Sequence, residues 1–386
     1  MSKLKAPKAA KPRKVKKAKP QPNRDPGVAK FAFILHPLDM GAITRTYRFT
    51  EKVPDKLVAW TLKHKKPWAI SEITGIKSKT GTEAIGWFIA VPLLPSQILD
   101  LKEKYVVNKI IKGCEVAEEL GARIVGLGAF TALVGGGGKD IAAGGRIAVT
   151  TGNTYTVATA IEGARKAATV MDIDLAFATV AIIGATGSIG KIAAHIMAAE
   201  AGKTILVGRD ISRLEKVRDE IKTGHELIIT TNISEAVRQA DVIISATSAV
   251  EEIVNPFDIK PGAVVCDVAR PRDVAEAVAE NRDDVLVIDG GVVQVPGNVD
   301  FNFDFGLPAG QSLACMAETM ILALEGRFED YTIGKNITVE QVAEMAEMAK
   351  RHGFELAGFR SFEKALTNDK IQAIRKAAAR QLENVS

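Results

Sequence analysis

The amino-acid sequence predicts an α/β protein built around a doubly wound parallel sheet. From residue 179 to residue 291, short apolar strands alternate with helical segments. A glycine-rich turn joins the first of these strands to the first helix. Such alternation is typical of a parallel sheet that helices cover on both faces. No apolar run approaches the ~18 residues that would indicate a membrane-spanning helix.

The pattern divides the 386 residues into four parts, and the length leaves room for two buried cores. We expect a basic tail over residues 1–30 and an N-terminal α/β substrate domain over 31–156. A cofactor domain follows over 157–305, and the C-terminal segment over 306–386 is predicted to be helical.

The tail is defined by its charge. Residues 1–30 contain eleven Lys or Arg, one acid and five prolines, and almost no large apolar side chain. These residues therefore carry a net charge of +10. Because the net charge of the whole chain is +5, the remaining residues carry −5. A segment of this composition cannot bury enough surface to fold, so we predict a disordered tail. It could attract an acidic partner, but the folded body is not basic, which argues against nucleic-acid binding.

The N-terminal domain is predicted from apolar patterning. A buried strand ends at His36, and a long amphipathic pattern ends at Gly121. Residues 135–140, "GGGGKD", are predicted to form a flexible loop, either a mobile lid or a phosphate cradle. The predicted elements are strand 31–35, helix 96–121, strand 122–130, strand 146–156 and helix 157–172.

The cofactor domain follows the strand–helix alternation, and the chain ends in three helices. The predicted strands are 179–184, 204–208, 226–230, 241–247, 263–269 and 285–291. The predicted helices are 188–201, 211–223, 233–239, 309–325, 338–351 and 361–383.

The stretch "TVAIIGATGSIGK" (179–191) predicts a dinucleotide site. Gly184, Gly187 and Gly190 follow a strand and open a helix, which is the Rossmann arrangement. These glycines allow a tight turn and a close approach of pyrophosphate to the backbone, while the helix N-terminus offers unpaired N–H groups. Three further residues of the turn join the predicted binding set: Thr186, Ser188 and Ile189.

The second strand favours NADP(H) over NAD(H). It ends at Gly208 and is followed by Arg209, with Arg213 one helical turn on, and guanidinium groups suit a 2′-phosphate. Asp210 could instead hold a ribose hydroxyl or cap the next helix. Thr247 and Asp267 lie at or near the carboxyl ends of later strands, where they are either cofactor contacts or turn residues.

Cys315 is the candidate nucleophile. It lies near the start of a predicted helix in "GLPAGQSLACMAETMILALEG" (306–326), away from its apolar stripe. A helix N-terminus favours the thiolate, although a small cysteine in a helix is also common as packing. Cys114 and Cys266 are better explained as core. The three cysteines have neither disulfide nor metal-site spacing, which fits a reducing cytoplasmic setting.

Residues 31–360 resemble the long-chain acyl-[acyl-carrier-protein] reductases, the fatty aldehyde-forming family best known from cyanobacteria. The matching stretches are "FILHPL" (33–38), "ITGIKSKTG" (73–81), "GLGAF" (126–130), "TTGNTYT" (150–156), "GATGSIG" (184–190), "QSLACMAETMILALEG" (311–326) and "KRHGF" (350–354).

The resemblance implies that NADPH reduces a long-chain acyl thioester to an aldehyde, with Cys315 as the acyl-accepting nucleophile. It implies acyl carrier protein as the thioester donor, acyl-CoA as a further donor, and an aldehyde-consuming enzyme as a partner. The glycine-rich stretch 133–145 and the basic tail depart from the family pattern, which leaves the chain length of the acyl group open.

Four polar residues are candidates to move protons or bind a developing oxyanion. His36 and His352 could supply a proton, or be structural. Thr151 and Asn153 could donate hydrogen bonds to an oxyanion, or cap the following helix.

Two other functions compete with this interpretation. "GNTYT" is similar to the GxNTD segment of shikimate dehydrogenases, which suggests direct NADP-dependent reduction of a small keto acid. Tyr155 stands where that family has its catalytic aspartate, however, and cannot take that role. The second alternative is a non-catalytic NADP-binding protein in which Cys315 senses redox state.

Overall fold

Two six-stranded sheets frame the protein. The computed structural model describes residues 27–247, 253–269, 272–274, 278, 281–362 and 364–385. Most of the predicted basic tail lies outside the described residues, and the first strand begins at Val28. None of the helices in these ranges is both long and apolar enough to cross a membrane.

The N-terminal sheet is mixed. Its strands are β1 (Val28–Leu35), β2 (Trp68–Lys77), β3 (Glu83–Ala90), β4 (Ile124–Leu127), β5 (Ala148–Thr150) and β13 (Gly297–Asp300), in the order β13-β2-β3-β1-β4-β5. β1 pairs in parallel with β3 and β4, and β2 pairs antiparallel with β3 and β13. Along β1, Phe31 and Phe33 face one core while Ala32 and Ile34 face another. A strand buried on both faces reads as a continuous apolar run, which is why β1 was predictable.

The second sheet is entirely parallel. Its strands are β6 (Thr179–Ile183), β7 (Lys203–Val207), β8 (Glu226–Thr230), β9 (Val242–Ser245), β10 (Val264–Asp267) and β11 (Leu286–Asp289). Their order, β8-β7-β6-β9-β10-β11, is the doubly wound Rossmann order. The predicted fold class is therefore confirmed. The strand order reverses between β6 and β9, and ligands bind in such sheets at this point.

Helices cover both sheets, and small strands fill the space near the site. The helices are α1 (Met40–Thr46), α2 (Asp55–His64), α3 (Pro95–Asp100), α4 (Glu103–Glu119), α5 (Val134–Gly144), α6 (Asn153–Val170), α7 (Ser188–Ala198), α8 (Ile211–Glu220), α9 (Ile233–Gln239), α10 (Ala314–Leu324), α11 (Val339–His352) and α12 (Asn368–Val385). The remaining strands are β12 (Val292–Gln294), β14 (Gln311–Leu313), β15 (Glu355–Leu356), β16 (Arg360–Ser361) and β17 (Lys364–Ala365).

Several boundaries differ from the predictions because tertiary pairing overrides local propensity. The predicted helix 96–121 divides into α3 and α4, since Leu101 is extended. Residues 311–313 pair with β12 as β14, so the next helix begins only at Ala314. Because residues 360–365 form the β16–β17 hairpin, the last helix begins at Asn368 and not at the predicted residue 361.

The glycine-rich stretch is not a flexible loop. Residues 135–138 all have positive φ and form a left-handed turn at the start of α5. The Gly135 N–H donates to Glu103 Oε1 (2.9 Å), and the Gly137 carbonyl accepts from Gly334 N (2.7 Å). Consecutive residues in this conformation strongly favour glycine, which explains the unusual composition.

Lys109 fastens α2 to α4. Its side chain is buried, and Nζ donates to the carbonyls of Leu62 (3.1 Å) and Lys63 (2.5 Å) at the end of α2. A cation at a helix C-terminus satisfies carbonyls that lack helical partners. Burial, with a smaller contribution from Lys112, lowers the pKa of Lys109 to about 8.

This pKa predicts a measurable pH dependence. Between about pH 8 and the ordinary value of 10.5, the folded chain has released the Lys109 proton that the unfolded chain still binds. The contribution of Lys109 to the free energy of unfolding therefore rises with pH across that window. In urea titrations, the wild-type value minus that of Lys109→Met should increase from pH 8 to 10.5. Lys104→Met, at an exposed position of α4, is the control. If the difference in the free energy of unfolding is independent of pH for both variants, the lowered pKa of Lys109 is contradicted.

Candidate active site

A cleft of about 3540 Å³ lies where the loops that follow strands of both sheets face each other. It brings together twelve of the fifteen predicted site residues. Those lining it are His36, Thr151, Asn153, Gly184, Thr186, Gly187, Ser188, Ile189, Arg209, Arg213, Thr247 and Cys315. Gly190, Asp267 and His352 are not among its lining residues.

The glycine turn forms the base of the cleft at the switch point, where the strand order reverses between β6 and β9. Gly184 has φ +83°, and a Cβ there would lie 2.5 Å from the Ala246 carbonyl oxygen after β9. Gly190 packs beneath it, where a Cβ would collide with the Gly184 carbonyl. Helix α7 then begins at Ser188, so its unpaired N–H groups point into the cleft. A pyrophosphate fits here because the glycines of the turn carry no Cβ and the N-terminus of α7 lies at the cleft.

The end of β7 carries the features that select the cofactor. Arg209 and Arg213 are exposed and line the cleft, and Arg213 Nη2 donates to the Thr186 carbonyl (3.2 Å). The Asp210 carboxylate accepts from Arg213 N (3.2 Å), so it caps α8. This leaves two guanidinium groups beside the turn for a 2′-phosphate, and the cofactor of this domain is NADPH.

Thr247 and Asp267 lie at the other side of the switch point. The Thr247 hydroxyl and N–H both donate to Asp273. Asp267 is buried and accepts from the backbone of Ala269 and Val274, each at 3.1 Å. Its carboxylate therefore organises its own turn below the cleft, while Thr247 remains on the wall.

Cys315 is the second residue of α10 and is half-buried on the cleft wall. Helix α10 packs beneath the N-terminal sheet and against α6. Gly152, at φ +76°, lies so close that a Cβ would collide with Cα and Cβ of Cys315. The segment 150–156 and the cysteine helix therefore meet at the thiol.

Three helix N-termini converge on this cleft. α6 begins at Asn153, α7 at Ser188 and α10 at Ala314, and Asn153 Nδ2 donates to Ser188 Oγ (3.3 Å). Helix N-termini carry partial positive charge and stabilise anions. The arrangement therefore favours an anionic ligand in the part of the cleft beside the cofactor turn.

Glu318 is not among the site residues predicted from the sequence. It is fully buried one turn after Cys315. Its Oε1 accepts from the hydroxyls of Thr150 (2.5 Å) and Thr332 (2.7 Å), and its Oε2 accepts from Thr154 Oγ1 (2.5 Å) and Tyr155 N (2.9 Å). Four donors satisfy the buried carboxylate, which ties α10 to segment 150–156. An acidic residue inside the apolar "ACMAETMILAL" helix was the available signal.

Thr151 and Asn153 have different surroundings. The Thr151 hydroxyl donates to the Thr332 carbonyl (2.5 Å), so its hydrogen is engaged in holding the loop. Asn153 is the first residue of α6, half-buried, and its amide faces the cleft beside Ser188. Of the two, Asn153 is placed to reach a ligand.

The contacts of His36 determine which of its ring nitrogens donates and which accepts. Its Nδ1 donates to the Pro37 carbonyl (2.9 Å), and its Nε2 accepts from Phe130 N (3.3 Å). Burial lowers its pKa, which the Pro37 contact only partly offsets. The ring lines the cleft, but both nitrogens hold the loop after β4 in place.

His352 lies at the end of α11, away from the cleft lining. Its Nδ1 is 2.7 Å from Ser78 Oγ, and its Nε2 is 3.0 Å from Glu325 Oε1. Burial lowers its pKa against the opposing effect of Glu325. These contacts join the β2–β3 turn to the ends of α10 and α11, and they do not bring the ring to Cys315.

Comparison with known proteins identifies several similar chains. Residues 165–289 match the family model described as shikimate / quinate 5-dehydrogenase. The chain is 28% identical over 329 residues to a long-chain acyl-[acyl-carrier-protein] reductase of Synechococcus elongatus, covering 81% of this chain and 94% of that protein. A glutamyl-tRNA reductase of Natronomonas pharaonis is 31% identical over 113 residues, or 29% of this chain and 24% of that protein.

A further relative is larger. "Aminotransferase PigE" of a Serratia species is 28% identical over 357 residues, which is 89% of this chain and 41% of that protein. The chain thus spans about two fifths of that relative's length. The named functions differ, but a dehydrogenase family model and two reductases together support an NADP-dependent oxidoreductase.

The arginine pair can be tested by cofactor affinity. Replacing Arg209 and Arg213 together with Ala should weaken NADPH binding by about 10- to 100-fold, since charged hydrogen bonds to the 2′-phosphate are lost. NADH affinity should change far less, as measured by nucleotide fluorescence titration. Arg218→Ala, on the same helix and paired with Asp219, is the control. Equal losses for both nucleotides would contradict the assignment.

The contact between Gly152 and Cys315 predicts a second effect. Gly152→Ala must adopt a positive φ and push into the cysteine backbone, so it should cost roughly 1–3 kcal/mol and slow alkylation of the Cys315 thiol. Gly326→Ala is the matched control, because Gly326 has φ +70° with open space around its Cβ position. Thermal unfolding and iodoacetamide labelling give the two readouts. If the two variants behave alike, backbone strain alone explains the effect.

Proposed function

We propose that the protein is an NADPH-dependent reductase that converts a long-chain acyl thioester to an aldehyde through a thioester on Cys315. The observation that carries the proposal is the meeting of three features at one cleft: the Cys315 thiol, three helix N-termini and the glycine turn for NADPH. The similarity to an acyl-[acyl-carrier-protein] reductase over most of both chains supports the choice of substrate class.

The reaction begins with the thiolate of Cys315. It attacks the carbonyl carbon of the acyl thioester, a C–S bond to the enzyme forms, and the carrier thiol leaves with a proton from solvent. NADPH, which Gly184, Gly187, Arg209 and Arg213 would hold in the cleft, would supply the hydride for the acyl carbon and leave as NADP⁺. The resulting oxyanion expels the Cys315 thiolate as the C–S bond breaks, which releases the aldehyde. One acyl thioester, one NADPH and one proton thus yield aldehyde, carrier thiol and NADP⁺.

The oxyanion forms twice and needs hydrogen-bond donors. The first backbone N–H groups of α10 have no helical partners, and the Asn153 amide lies on the same cleft. Donors aimed at a developing charge are among the largest contributions to catalysis. Glu318 has a positioning role in this scheme, because it holds residues 150–155 in place without facing the cleft.

The cleft also has walls suited to an acyl chain. Phe88, Phe301 and Phe305 form an aromatic cluster with ring centroids 5.0–5.9 Å apart. Apolar side chains continue from it towards Cys315, and burial of each CH₂ of a ligand there contributes about 0.8 kcal/mol. The cleft-lining members are Phe303, Phe305, Leu307, Leu313 and Met316.

The carrier is proposed to be acyl carrier protein, with acyl-CoA as a further donor. The sequence concentrates basic residues within positions 1–30, and a basic segment speeds encounter with an acidic carrier. Release of an aldehyde further implies an aldehyde-consuming enzyme as a partner.

Direct reduction of a small keto acid has less support. Tyr155, which occupies the position of the dehydrogenase aspartate, is buried, and its N–H serves Glu318. Burial raises the pKa of Tyr155, so the phenol stays protonated. A charged group that could act on a keto acid is thus missing at that position.

Cys315→Ser should reduce aldehyde formation from acyl-ACP and NADPH by at least about 100-fold, because an alcohol is a much poorer nucleophile than a thiolate. Without NADPH, intact-protein mass spectrometry of the wild type should show one acyl adduct on Cys315. Cys114→Ala is the control: burial raises the pKa of Cys114 to about 12, so it holds no thiolate at neutral pH.

The alternatives give different results in the same assays. Ketone reduction that survives Cys315→Ser would favour a keto-acid dehydrogenase. NADPH binding with neither adduct nor turnover would favour a redox sensor.

A further inference from the structure

We propose that the insertion between β1 and β2, residues 38–67, binds the surface of an anionic membrane and presents the mouth of the cleft to lipid. This insertion, called the basic flap below, contains α1, a short 3₁₀ turn (Arg48–Lys52) and α2. The proposal goes beyond the proposed reaction, and its test needs neither substrate nor cofactor.

The first observation is a concentration of exposed apolar side chains. Thirteen large apolar side chains are exposed in the described part of the chain, and five of them lie within residues 38–60. Three are prominent: Phe49 is 71% exposed, Trp60 59% and Leu57 52%. Scattered single apolar residues are ordinary on a protein surface, whereas a cluster indicates an interaction site.

The second observation is the pattern along α2. Leu57, Trp60 and His64 recur at helical spacing on the exposed face, while Val58 on the opposite face is buried. The helix is therefore apolar on both sides. Its inner side packs with Ile43 and Leu94 in a small core of its own, which leaves the outer side without a partner in the described chain.

The third observation is charge. Residues 48–68 contain six Lys or Arg against two acids. Lys56 and Lys63 flank the apolar stripe, and Lys65 and Lys66 follow the helix at exposed positions. Long lysine side chains beside tryptophan and leucine are typical of helices that lie in a membrane interface, where the stems reach the acyl boundary and the ammonium groups reach phosphates.

The flap is held in a fixed orientation at the cleft. Lys109 Nζ and Tyr105 Oη both donate to the Lys63 carbonyl, so the end of α2 is anchored to α4. Tyr47, Leu62 and Lys65 line the same cleft as Cys315. A bilayer that contacts α2 would therefore lie next to the part of the cleft wall that the flap forms.

The exposed aromatic and aliphatic stripe favours lipid over an acidic protein. Charge alone would attract either partner. Phe49, Leu57 and Trp60 gain most from a surface into which they can insert, and tryptophan is enriched at membrane interfaces.

Vesicle sedimentation with the full chain tests the proposal. Binding to phosphatidylcholine vesicles should rise strongly when phosphatidylglycerol is included. The double variant Leu57→Ser/Trp60→Ser should reduce binding by about tenfold or more. Phe177→Ser/Phe257→Ser is the matched control, because these phenylalanines are 87% and 80% exposed and lie outside the flap, in the part of the chain that forms the parallel sheet. The control should bind as the wild type does.

Tryptophan fluorescence supplies an independent readout. Trp60 is exposed, whereas Trp68 is half-buried and Trp87 buried, so insertion should shift the emission to the blue. The shift should persist at raised salt and disappear in Trp60→Phe.

Three results would overturn the proposal. The first is vesicle binding that salt abolishes and that Leu57→Ser/Trp60→Ser leaves unchanged, since the charged segments alone would then explain it. The second is the absence of binding to anionic vesicles. The third is selective capture of an acidic protein that requires Leu57 and Trp60 without any vesicle binding, which would make the flap a protein-docking surface.

Discussion

The buried carboxylate of Glu318 is the interaction on which the site depends. An unpaired charge in this position would be costly, and four donors from two segments of the chain compensate it. Three of the donors come from residues 150–155 and the fourth is Thr332, so one side chain fixes the end of β5, the start of α6 and the loop after α10. Gly152, which lies directly against Cys315, stands between the residues that Glu318 holds.

Helix α6 connects this segment to the core around the parallel sheet. Its first turn packs with the N-terminal core through Tyr155, and from Val157 onward it packs with the Rossmann core. Asn153 at its start reaches Ser188 at the start of α7. The distance between the thiol and the cofactor turn is therefore set by a rigid helix with both ends in packed cores, as a site that needs precise alignment requires.

Sequence reasoning predicted the features that rest on local pattern. β8 (226–230) and α9 (233–239) have the predicted bounds, and the glycine turn follows from residue types at fixed spacing. It missed what depends on distant partners. The left-handed turn at 135–138 needs Glu103 and Gly334, and β14 exists only because β12 lies beside it. Glu318 is recognisable only as an acidic residue in an apolar helix, and its role was not predictable because its donors are separated from it by up to 168 residues.

The three cysteines show why residue type alone could not identify the candidate nucleophile. Cys114 lies on the apolar face of α4, where burial raises its pKa, and the Cys266 thiol is fully buried in β10 opposite the Ala160 carbonyl. Cys315 has the same side chain in an apolar helix, yet it lies one residue past a helix start at the wall of a cleft. That placement follows from β14, which ends the extended chain at Leu313 and so begins the helix at Ala314. A short strand pairing, absent from any sequence pattern, thus brings Cys315 to the wall of the cleft.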